Sequence, residues 1–171
     1  MKNHKNILRL TRTAIISAVA IVLSVLESML PIIPVPGMKL GLSNIASMFA
    51  AGSEGIGSAV TVSVIKSLFV LITRGFTAFL MSFFGGLAST LVMCLMLCFK
   101  KKYFGYIGVG VVGAAIHNTV QIFVACVILD FTVITYLPVL LFISVITGCI
   151  TGFTVGIILP RVEKNKLFMT G

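Results

Sequence analysis

Acidic side chains are scarce in this chain: four Asp and Glu stand against 13 Lys and Arg, and Asp130 is the single aspartate. Prenyl-transfer enzymes hold magnesium diphosphate with clusters of aspartates, and the chain has none. There is no G-x-x-x-x-G-K-[ST] phosphate loop, so the chain hydrolyses no ATP by that route. Neither a Ser/His/Asp set nor a Cys/His pair has local support for nucleophilic catalysis. The four cysteines, Cys94, Cys98, Cys126 and Cys149, all fall in apolar segments. Cys94 and Cys98 would share a helix face, but no second ligand pair accompanies them. Small apolar side chains in packed helices account for them, and no metal or cofactor is expected. Internal repeats and low-complexity tracts are also missing.

Apolar residues dominate what is present. Of 171 residues, 58% are hydrophobic and 10% charged, with a mean hydropathy of +1.18. That composition belongs to an integral membrane protein, and the length suits one domain over residues 1–171. The net charge is +9. The basic residues sit at the ends of apolar runs, which marks membrane topology and not a nucleic-acid face. The start, "MKNHKNILRLTRTAIISAVAIVLSVLE", has the basic-then-apolar order of a signal peptide. Because "ESMLP" follows it, and no small-x-small site, it is taken as an uncleaved first span.

A span needs about 20 residues to cross the hydrocarbon. Six can be drawn, at about 13–30, 38–51, 56–73, 76–99, 104–129 and 134–159. The second is short at about 21 Å. Six spans place Lys2, Lys5, Arg9, Arg12, Lys100, Lys101, Lys102, Arg161, Lys164 and Lys166 on one side and Lys39 and Arg74 on the other. That bias orients both termini toward the cytoplasm of a cell membrane. The expected fold is therefore an all-α compact bundle of six transmembrane helices.

Small residues recur at helical spacing. Gly148, Gly152 and Gly156 share a face of span 6, and span 5 carries Gly105, Gly108, Gly110 and Gly113. Such faces let membrane helices approach closely. In span 1, Ala14 and Ala18 form an A-x-x-x-A face. Ser17, Ser24 and Ser28, with Glu27 beside them, form a second stripe about a quarter turn away. One face is suited to a partner protein and the other to the bundle interior.

Polar residues gather at one depth. His117 and Gln121 share a face about 20 and 26 Å along span 5, and Asn118 points to one side. Glu27 lies near the outer end of span 1, and Lys39 and Asn44 open span 2. Lys66 is about 15 Å along span 3, and Arg74 ends it. Ionisable groups in spans are costly and face a partner or a cavity. Interhelical hydrogen bonds are one use for these groups. Their one-sided depth suggests another, an outward-facing pocket under the loop "PIIPVPGMK". Lys39, Lys66 and Arg74 outnumber Glu27 there, and the start of span 2 adds partial positive charge, so an anionic ligand with an apolar part is favoured.

The stretches "ESMLPIIPVPGMKLGLSNIASM" (Glu27–Met48) and "GAAIHNTVQ" (Gly113–Gln121) resemble the Gx transporter family, also labelled heptaprenyl diphosphate synthase component I. The similarity covers essentially the whole chain. Family members usually carry arginine at the position of Lys66, which keeps the charge without the bidentate fork. The family is similar to the membrane substrate-binding (S) components of energy-coupling factor (ECF) transporters. The resemblance implies six helices, both termini inside, a pocket under the first loop and an A-x-x-x-A face that docks a coupling subunit, matched here by Ala14 and Ala18. It also implies a coupling transmembrane subunit and two ATPase subunits as partners, and a vitamin-like or isoprenoid-related small molecule as ligand. The older label implies a different role: a non-catalytic membrane subunit beside a soluble prenyl diphosphate synthase subunit.

Overall fold

The computed structural model describes residues 2–29, 39–99 and 105–164. Among these residues six helices follow in order: α1 Lys2–Ser28, α2 Asn44–Ser53, α3 Ile56–Arg74, α4 Phe76–Phe99, α5 Tyr106–Ile128 and α6 Leu137–Lys164, the last preceded by a 3-10 turn over Phe131–Tyr136. Five of the helices are long and apolar enough to cross a membrane, with α6 and its 3-10 turn forming one such span. Most of the expected loop 31–39 and the Lys100–Lys102 run lie outside the described residues.

The second helix departs from the sequence expectation. Residues 38–51 were expected to be helical, but α2 has ten residues, Asn44–Ser53, or about 15 Å. The cause is local. The Lys39 backbone N–H goes to Gln121 Oε1, and those of Gly41 and Leu42 go to Glu27. Gly41 also takes φ +88°, which glycine adopts without strain.

The short segment nevertheless traverses the bundle. Gly41 lies against Glu27, and Glu54 lies against Arg12. Along α1 those two contacts are about 22 Å apart. Residues 39–54 therefore run antiparallel to α1 over the same height. At the end marked by Arg12 and Glu54, Gly52 packs on Leu159 of α6. At the other end, Arg74 donates to the Ser28 carbonyl at 3.1 Å. The start of α1 and the end of α6 therefore share one end of the bundle. That end carries Arg9, Arg12, Arg161 and Lys164 and is called the basic end below.

Contact between backbones joins α5 to α6. A Cβ on Gly110 would fall 2.3 Å from the Gly148 carbonyl oxygen, and one on Gly152 would fall 2.4 Å from the Ile107 Cα. Lipid offers no hydrophobic drive for helix pairing, so dispersion at this distance holds the pair. Gly156 faces the Tyr106 ring, Gly113 faces Met93, and Gly108 faces open space.

Apolar clusters lie to either side of a polar layer. Ile16, Ala20, Ala46 and Val62 join α1, α2 and α3. Met48, Met93, Val109 and Val155 fill the basic half, and Met81, Ile122 and Leu140 fill the half near the 3-10 turn. Asp130 starts that turn by accepting from the Thr132 N–H at 2.8 Å. This bond and the Thr132 side chain hold the exposed carboxyl below the usual carboxylate range.

Candidate functional site

Lys66 is 1% exposed, on the inward face of α3. Its Nζ donates to Asn44 Oδ1 at 3.0 Å. Ser63 sits one turn earlier on the same face, wholly buried. The glycine pair in α4 makes room for both: a Cβ on Gly86 would stand 2.7 Å from Ser63 Oγ and 4.0 Å from Lys66 Nζ.

Gly85 admits the α5 side of the cluster in the same way. A Cβ there would meet Gln121 Cγ at 3.1 Å and His117 Nδ1 at 3.3 Å. His117 and Gln121 are one turn apart, with Gln121 Nε2 3.1 Å from His117 Nε2. As a donor, the amide leaves the other ring nitrogen, Nδ1, beside Gly85 and buried without a hydrogen-bond partner among the described residues. Gln121 Oε1 accepts from the Lys39 backbone N–H at 3.4 Å.

Glu27 is spent on the chain that enters α2. Its Oε1 accepts from the N–H groups of Gly41 and Leu42, and its Oε2 from the Ser43 hydroxyl at 3.3 Å. These groups open α2, where a carboxylate is favoured. Lys39 Nζ donates to Ser24 Oγ on α1. Residues 39–43 are thus a strap tied to α1 and α5, lying against Asn44 and His117.

The charge in this layer does not balance. Lys39 and Lys66 are 6% and 1% exposed, and their hydrogen-bond partners are a hydroxyl and an amide. Glu27 is near enough to attract both, and Lys66 is near enough to repel Lys39. Among the described residues neither ammonium forms an ion pair; the ion pair present is Arg12–Glu54, 3.4 Å, at the basic end. Asn44 Nδ2 and Ser63 Oγ are buried without a hydrogen-bond partner. The unused capacity is therefore mainly donor capacity beside surplus positive charge, which an anion rich in acceptor atoms would satisfy.

A family model described as heptaprenyl diphosphate synthase component I matches residues 16–158. The chain belongs to that family. No curated protein and no solved structure matches it. The family match spans every candidate ligand residue from Glu27 to Gln121, and Ala18; Ala14 lies just before it.

The structure of this family member groups Glu27, Lys39, Asn44, Lys66, His117 and Gln121. Two candidates hydrogen-bond elsewhere. Asn118 turns toward α6, where Nδ2 donates to Ser144 Oγ at 2.8 Å and to the Leu140 carbonyl at 3.4 Å. Arg74 is exposed at the bundle end, on the Ser28 carbonyl, and is still near enough to repel Lys39. On α1, Ala14 and Ala18 are exposed, while Ser17, Ser24 and Glu27 face inward. Sequence reasoning did not assign Ser43, Ser63, Gly41, Gly85 or Gly86 to the site. The signals were a serine one turn before a mid-span lysine and adjacent glycines in the middle of an apolar span.

Proposed function

We propose that this protein is the membrane substrate-binding component of an ECF-type importer and captures a small anionic ligand in the Lys66 layer. The observation that carries this reading is the surplus of buried positive charge: two ammoniums against one carboxylate already held by the α2 entry. Burying unpaired ammoniums is costly, and a helix bundle held by apolar and glycine contacts has no need of them. The exposed Ala14 and Ala18 face supports a docking surface for a coupling subunit. The excess of basic residues at one end supports placing that end in the cytoplasm. In this reading the chain is not an enzyme: it supplies binding, and separate ATPases drive transport.

The family's name favours a second reading, a non-catalytic membrane subunit of a heptaprenyl diphosphate synthase. Affinity purification from the native host separates the two. The transport reading predicts a coupling transmembrane subunit with two ATPases. A soluble, aspartate-rich prenyltransferase without ATPases would replace it with the synthase reading.

A further inference from the structure

A groove opens on the side of the bundle between α1 and α6. Among the described residues no backbone contact joins these two helices. Arg12, Ile15 and Val19 form its α1 wall, Val155 and Ile158 its α6 wall, and Phe49 of α2 its floor. The cavity is about 240 Å³. Its α1 wall runs about 10 Å along the helix axis. A site with this apolar lining does not hold water, and one of roughly 150 Å³ admits benzene. The groove therefore has room for a length of hydrocarbon chain, and in a bilayer that chain is at hand.

The two ends of the groove differ. Ile15, Val19 and Ile158 are all exposed and apolar. The other end reaches Arg12. One turn beyond Ile158 on α6, Arg161 is exposed on the same face. Among the described residues the nearby acid is Glu54, paired with Arg12 at 3.4 Å. Glu163 lines a separate cavity beside Tyr106. Among the described residues Arg12 and Arg161 stand against the Glu54 carboxylate, and Arg9 adds a third guanidinium on the Glu54 carbonyl at 3.2 Å, which leaves the mouth of an apolar slot positive at the end where the helices leave the apolar zone.

We propose that this groove is a binding site for one anionic phospholipid. An acyl chain lies against Val19 and Phe49, and the headgroup phosphate is held at Arg12 and Arg161. The site is independent of the Lys66 layer and belongs to the chain whichever function holds.

The chain contains no tryptophan, so a single introduced indole reports its surroundings without background. Phe49→Trp places it on the groove floor, and Val19→Trp places it at the half-exposed rim, where packing demands are slight. Phe142→Trp, at a position 71% exposed on α6, serves as the control. Each variant is reconstituted in phosphatidylcholine vesicles containing a minor fraction of chain-brominated phosphatidylglycerol or chain-brominated phosphatidylcholine. At residues 49 and 19, brominated phosphatidylglycerol should quench as though enriched about fivefold or more, the weight of one arginine near an anionic headgroup. At residue 142 the two lipids should quench alike. Adding Arg161→Gln to Phe49→Trp should cut the enrichment several-fold. Equal quenching by the two lipids at residues 49 and 19, or none, would overturn the proposal. An enrichment untouched by Arg161→Gln would overturn the headgroup assignment.

Discussion

Lys66 donates to Asn44 across 3.0 Å at a place where each residue is 1% exposed. The pair ties the middle of α3 to the first residue of α2, and among the described residues the charge it contains has no counter-ion within bonding distance. A buried ammonium with one amide partner is a poor structural element. Lys66→Met, which keeps the apolar stem, should therefore change stability by no more than about 1 kcal/mol in either direction. Thermal unfolding in detergent measures it. A loss of several kcal/mol would show that Lys66 holds the bundle together.

Glu27 has the opposite character. Its carboxylate accepts three hydrogen bonds from the start of the α2 segment. Glu27→Ala should destabilise by about 2–3 kcal/mol, since it leaves buried donors unpaired. Hydrogen–deuterium exchange should show the amides of Gly41 and Leu42 losing protection while those in mid-α4 keep theirs. Unchanged protection at residues 41–42 would contradict the strap geometry.

The α5–α6 contact predicts a contrast between two glycines two residues apart, on opposite faces of α5. Gly110→Ala drives a methyl into the Gly148 backbone and should cost about 2–3 kcal/mol. Gly108→Ala meets nothing within 4 Å and should be neutral or stabilising by about 0.5–1 kcal/mol through helix propensity. Melting temperatures of the two variants in one detergent check both.

Asn118 and His117 are neighbours in sequence and should separate in function. Asn118→Ala removes hydrogen bonds to α6 and should lower stability by about 1 kcal/mol, with no effect on any retained ligand. His117→Ala should lower ligand retention. Equal effects of the two substitutions on ligand would contradict the assignment.

The long helices were legible because an apolar run of span length has one stable state in a bilayer. The expected 76–99 is α4, and 56–73 differs from α3 by one residue. Two helices ran past their apolar runs, since α1 starts at Lys2 and α6 continues to Lys164 into basic sequence. The α2 error had a different source. Periodicity carries no record of Glu27 taking the Gly41 and Leu42 amides, a contact between residues 14 and 15 apart. The depth of the Lys66 layer followed from rise per residue alone, which set Lys66, His117 and Gln121 at one level. Rotation about each axis was less visible. Asn118 lies at that depth but faces Ser144, and the serines and glycines of the layer resemble ordinary packing residues until their neighbours are known.

The central claim is that the Lys66 layer binds an anion, and native mass spectrometry of protein purified gently from its own host tests it most directly. The wild-type chain should carry a small acidic molecule that is absent from Lys66→Met and retained by Lys66→Arg, with all three proteins equally folded. A wild-type spectrum with no such adduct, or one that Lys66→Met leaves in place, would contradict the claim and assign the layer to helix packing.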